Sequence, residues 1–328
     1  MTIFPKLFAV VTAMICALGI HAQEAYAVYT EDNSTLTFYY DSQRSTRPGT
    51  TYDLNIGSNN PGWRGDGIYM SVTRAVFDSS FADARPTTTY YWFRGMENLT
   101  TILGIEYLNT SEVTNMNAMF YKCQSLTSLN VSTFNTSSVT DMNSMFNRCS
   151  GLTSLDVSGF NTSNVTNMVS MFYRCSGLTS LDVSSFSTAN VDFMGYMFFN
   201  CSGLTTIYAG DGWSTAAVTE SSSMFFGCTN LVGGMGTTYD ANYTDKTYAR
   251  IDGGPSNPGY FTDKNASLRG DVNGDGQVNI TDVIKLINAI LSSDYSGIIT
   301  ANANVNGDSE ENITDVIQLI NYVSTGHW

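Results

Sequence analysis

The sequence predicts a repeat solenoid of short strand-plus-helix rungs, covered at its N-terminal end by β structure and followed by a small all-α domain. Three observations predict it. Residues 113–138, 139–164 and 165–190 share the pattern V-[TD]-x-M-x-x-M-F-x-x-C-x-x-L-T-S-L-x-V-S-x-F-x-T. Cys123, Cys149, Cys175 and Cys201 fall 26 positions apart and Cys228 follows after 27, the mark of stacked units that cannot bury an apolar face alone. Upstream the chain is rich in strands and turns, and near the C-terminus two acidic loop–helix halves recur 33 residues apart. The expected units are therefore 1–22, a leader; 23–91, a β-rich cap; 92–231, the repeats; 232–264, a closing cap and linker; and 268–328, the helical domain.

Composition bounds the function. Charged residues are 13% of 328, well below the ~25% of ordinary domains, and the net charge is −14. So acidic a chain without an evident basic patch argues against nucleic acid as a partner. Residues 1–22 read as a secretory signal, with Lys6 before the apolar run 7–20 and a small-residue cut at His21-Ala22-Gln23. About 14 apolar residues fall short of the roughly 20 that span a bilayer, so a secreted or extracellular protein with no transmembrane span is expected. Once the leader is gone the one histidine is His327, and no G-x-S-x-G, H-E-x-x-H or phosphate-cradling loop occurs. The chain is expected not to be an enzyme.

Taken in order, 28–40 and 68–77 carry aromatic and β-branched residues between Gly/Pro turns, which predicts strands. Arg64-Gly65-Asp66, in one of these turns, matches an integrin-binding triplet, and a solvated turn is the plainer reading. Met96, Leu99, Ile102, Ile105 and Leu108 form a degenerate first rung. Within each full rung, Leu152-x-x-Leu155-x-Val157 alternates as a half-buried strand. Met168, Met171, Phe172 and Cys175 have the i, i+3, i+4, i+7 spacing of one inward-facing helical turn. Strand plus short helix in 26 residues is the leucine-rich-repeat signature. The Met, Phe, Leu and Cys columns are then core, with the five cysteines as buried free thiols rather than disulfides. Positions left outside form a polar column, Asn130, Asp156 and Asp182, ending at Tyr208, on what should be a concave sheet available to a partner.

The repeat, together with Tyr26-Ala27-Val28-Tyr29-Thr30-Glu31-Asp32-Asn33 before it and Ile251-Asp252-Gly253-Gly254-Pro255 after it, resembles the BspA-like leucine-rich-repeat surface proteins. That resemblance covers about residues 26–262. It implies a secreted or cell-surface protein whose repeats bind host matrix or a bacterial surface ligand.

In the tail, Asp271, Asn273, Asp275, Asn279 and Asp282 stand at positions 1, 3, 5, 9 and 12 of a calcium loop. Gln277 supplies a backbone carbonyl at 7, and Gly276 makes the sharp turn at 6. Asn304, Asn306, Asp308, Glu310, Asn312 and Asp315 repeat the set with fewer charges and Ser309 at the turn, so two Ca2+ sites are expected, the second weaker. Val283, Ile284, Ile287, Ile290 and Leu291 read as one apolar helical stripe, as do Val316, Ile317, Leu319, Ile320 and Val323. Two such EF-hand-like halves resemble a type I dockerin. The resemblance implies calcium-dependent folding and a cohesin-like protein partner contacting Ile280-Thr281 and Ile313-Thr314. The expected function is a recognition or adhesion protein docked by its tail. A non-catalytic component of a cohesin–dockerin polysaccharide-degrading complex, or a spacer binding nothing, are the competing readings.

Overall fold

The computed structural model describes residues 22–264, 269–275, 277–306, 308 and 310–326. The expected leader up to residue 21, Gly276, Ser309 and His327 lie outside the described residues.

The N-terminal segment begins as a hairpin. β1 (Glu24–Thr30) pairs antiparallel with β2 (Thr35–Asp41) around Ser34, which takes the left-handed conformation the tight return needs. β3 (Thr50–Asp53) adds antiparallel to β1, while β4 (Arg74–Phe77) and β5 (Thr101–Leu103) continue parallel beyond β2, giving the mixed order β3-β1-β2-β4-β5. α1 (Gly62–Gly65) sets Trp63 beneath this sheet. Phe38 stacks on Phe77 at 4.5 Å and on Trp92 at 5.2 Å, and the Trp63 indole donates to the Trp92 carbonyl at 2.8 Å. Tyr and Trp bury cheaply when the polar tip finds such a partner.

The repeats depart from the expected leucine-rich-repeat solenoid. Outside the 3-10 turn Ile105–Tyr107, no helix occurs among residues 92–231, so the short helix expected in each rung is absent. The backbone there alternates instead. Ala118, Ser144, Ser170 and Tyr196 are left-handed (φ between 50° and 60°), as are Lys122, Arg148, Arg174 and Asn200 four residues later (φ between 54° and 62°). One set of N–H groups closes turns within the repeat, such as Met145 to Met142 and Cys149 to Phe146. The other set crosses to the next repeat: Met142, Ser144, Phe146 and Arg148 donate to the carbonyls of Asn167, Val169, Met171 and Tyr173. Isolated parallel bridges Thr88–Asn115–Asp141–Asn167–Phe193–Glu220 tie the repeats in register. A helix would have spent all these donors inside its own turn.

Strands are equally sparse. β6 (Ser180–Asp182), β7 (Thr206–Ala209) and β8 (Phe261–Asp263) form one three-stranded parallel sheet, whereas 126–131 and 152–157 are not strands. The expected polar sheet across every repeat is thus confined to the last two repeats and the segment after them. The architecture is a mixed five-stranded sheet, turn-built repeats and a three-stranded parallel sheet, followed by the helical tail.

What the repeats bury is a set of columns. Met145, Met171 and Met197 are fully buried, and Phe93, Phe120, Phe146, Phe172, Phe198 and Phe225 stack ring on ring at 5.4–5.7 Å. The five described cysteines are free and buried.

The tail has its own core of Val272, Val283, Leu286, Ala303, Val305, Val316 and Leu319. α2 (Ile280–Ser292) and α4 (Ile313–Thr325) pack together across the single turn α3 (Thr300–Ala303). The expected apolar stripes are rotated: Leu286 and Ala289 are buried, while Ile284 (52%), Leu291 (80%), Ile317 (53%) and Ile320 (44%) are exposed.

Candidate functional site

Each long tail helix starts in the same way. The Asn279 side chain accepts from the Thr281 N–H at 2.9 Å, and Asp282 reaches back to the Asn279 N–H at 2.9 Å, a reciprocal cap. Asn312 and Asp315 repeat it at 2.8 and 2.8 Å. The loops ahead are drawn together by matched bonds. The Asn273 N–H donates to Asp282 at 3.1 Å and its amide to Asp275 at 3.0 Å; Asn306 does the same to Asp315 at 2.9 Å and Asp308 at 2.7 Å. Asp271 accepts from the N–H groups of Gly274 (2.7 Å) and Asp275 (3.1 Å), and Gln277 and Glu310 donate theirs to Asp275 and Asp308. Asn304 ends α3, half-buried.

These residues fit a hard cation. Asp282 and Asp315 are wholly buried, and among the described residues neither forms an ion pair. Arg269 lies near enough to Asp315 to feel its charge, but not in ion-pair contact. A buried carboxylate held only by neutral N–H groups costs several kcal/mol unless a countercharge is supplied. Among the described residues no group of three or more His, Cys, Asp or Glu side chains converges as a metal site. A cation here would therefore draw on amide and carbonyl oxygens of Asn273, Gln277 and Asn279 as well as the carboxylates, the donor set calcium takes.

Beyond the loops, Ile280 (57% exposed) with Thr281, and Ile313 (62%) with Thr314, occupy the exposed first turns of α2 and α4. Ile284 and Ile317, expected as members of the apolar stripes, are exposed and extend each patch one helical turn. Their position one turn after Ile280 and Ile313 was the available signal.

The outward column of the repeats serves the turns. Asn130, Asp156 and Asp182 each accept the N–H two residues on, at 3.1, 2.9 and 2.9 Å. Bonds from the Ser158 hydroxyl and N–H hold the Asp156 carboxyl below its usual range. Burial alone would raise Asp182, but bonds from Ser184 and the Lys264 ammonium at 3.2 Å outweigh it and lower it. Lys264 also sits 4.7 Å over the Tyr208 ring. Arg64 of the Arg-Gly-Asp triplet is half-buried, donating to the Arg94 carbonyl and lying 4.5 Å over Tyr69. It is not presented as a free loop.

The class this describes is a repeat protein joined to a two-helix loop domain, and comparison with known families agrees. Residues 87–210 and 179–247 match the family described as Mycoplasma protein of unknown function, DUF285. Residues 269–324 match the dockerin type I domain. No curated protein matches, and no solved structure matches. Among the described residues no helix is long and apolar enough to cross a membrane.

Proposed function

We propose that this is an extracellular, non-catalytic recognition protein, attached to a cohesin-like partner through its calcium-dependent dockerin domain. The observation that carries the reading is the doubled apolar patch. Ile280, Thr281 and Ile284 on α2 recur as Ile313, Thr314 and Ile317 on α4, exposing four isoleucines that a monomer gains nothing by leaving in water. Repetition of one patch on two equivalent helices suits a partner able to engage either. The wholly buried Asp282 and Asp315 support two calcium sites, and Asn304 in place of Asp271 makes the second the weaker. BspA-like surface proteins, which the repeats resemble, support a place outside the cell and a role in adhesion. A cohesin-like partner equally fits a non-catalytic subunit of a polysaccharide-degrading assembly.

The test is capture of partners by the full chain with and without a calcium chelator. Calcium-dependent capture of a cohesin-bearing protein supports docking. Capture that ignores both the chelator and an Ile280→Arg/Ile313→Arg double substitution would sink it.

A further inference from the structure

The repeats sort their charges. Residues 92–231 contain four cationic side chains, Arg94, Lys122, Arg148 and Arg174, against nine carboxylates. Lys122, Arg148 and Arg174 occupy one left-handed position, 26 residues apart, with Asn200 next in the same column. Backbone bonds from Arg148 to Tyr173 (2.6 Å) and from Arg174 to Phe199 (2.7 Å) place these residues on adjacent repeats, so their side chains leave the same face about 4.8 Å apart.

Three of the four, Arg94, Arg148 and Arg174, lack a countercharge among the described residues. Lys122 pairs with Glu97 at 3.1 Å, whereas Arg148 and Arg174 have no carboxylate partner among the described residues. Both guanidinium groups instead lie against one ring, Tyr173, at 5.8 and 5.4 Å. They line a cleft of 410 Å³ whose remaining wall is neutral and hydrogen-bonding, including Ser150, Ser176, Ser202 and Asn200. Two like charges held side by side repel, and an oxyanion between them relieves the repulsion while accepting from both forks. Gln124 joins this cleft to a second, of 510 Å³, that contains Arg64, Arg94 and Lys122 against the single carboxylate of Glu97. The cationic face is thus a track rather than a point.

We infer that this track binds an acidic linear polysaccharide, one bearing carboxylate or sulfate on successive sugars. The one-repeat step is comparable with the length of one pyranose residue in an extended chain. Guanidinium groups meet the charges, and the serine hydroxyls meet the ring hydroxyls. A net charge of −14 opposes the approach of a dense polyanion such as nucleic acid, and the short cationic track suits a sparser one. The site is separate from the docking patches on α2 and α4 and stands whether or not the tail finds its partner.

Full-length protein is titrated by calorimetry with polygalacturonate, chondroitin sulfate, neutral dextran and poly(U). Binding to one of the acidic glycans, absent for dextran and weakening with salt, is expected. Arg148→Asn/Arg174→Asn should lower that affinity about tenfold or more, since each charge-assisted contact is worth about that much. Asn200 already occupies the same left-handed position, so the double variant keeps its backbone, checked by an unchanged melting temperature. Glu112→Gln, exposed and outside both clefts, should leave binding intact. No binding to either acidic glycan, or equal binding by the double variant, overturns the proposal. Equal affinity for poly(U) overturns its carbohydrate assignment.

Discussion

Each thiol in the repeats answers a carbonyl in the repeat before it. Cys123, Cys149, Cys175, Cys201 and Cys228 donate to Phe93, Phe120, Phe146, Phe172 and Phe198 at 2.9–3.2 Å. Burial pushes all five pKa values up, that of Cys228 to about 12. In the unfolded chain these thiols ionise near ~8.5, while in the folded protein they hold their protons. Stability is therefore full below that pH and falls as pH climbs above it. A declining melting temperature in alkaline buffer, unaffected by reductant, is the expected outcome, with five thiols titrating only after denaturation (a sixth where Cys16 is retained). Gly177 offers a second test. A Cβ there would lie 2.5 Å from the Leu152 carbonyl oxygen, and at Gly151 and Gly203 it would lie 2.4 Å from the carbonyl oxygens of Gln124 and Ser176. Gly177→Ala should cost about 1–3 kcal/mol by denaturant melting, as overpacking does.

At the scale of elements, inward-facing positions were legible and backbone paths were not. Met142, Met145, Phe146 and Cys149 point inward with helical spacing, and so do they in the observed chain of alternating right- and left-handed turns. Side-chain periodicity reports which face is buried, not where the N–H groups go. The available clue was Gly95 and Gly227, left-handed glycines standing one repeat before Lys122 and one after Asn200. The tail's helix starts were more legible, because Asn279 with Asp282 and Asn312 with Asp315 cap the helices that follow each loop. There, Asp282→Asn removes a buried charge that both caps α2 and faces the loop, so calcium affinity should drop at least about tenfold by titration. Asp315→Asn should matter less, its loop being the poorer in charge. What could not be read was the rotation of α2 and α4, since Ile284 and Leu286 are equally apolar and burial chose between them.

At the scale of the whole molecule, the described residues form two hydrophobic cores, one running from the N-terminal sheet through the repeats to Phe261 and one within the tail. Calorimetry should resolve two transitions, of which chelation lowers only the tail's, with loss of helical circular dichroism. A single transition that moves as one on chelation would contradict separate cores. Across the repeats the larger core is also uniform. Thr140 bonds to Thr114 and Thr166 to Thr140 at 2.9 and 3.0 Å, and the Phe rings keep nearly one interval throughout. Every internal junction thus presents the same partners as the next. Excising 139–164 whole, or duplicating it, leaves each end meeting a familiar neighbour. Reach becomes adjustable in increments of a single genetic cassette, lengthening or shortening the molecule without redesigning either extremity.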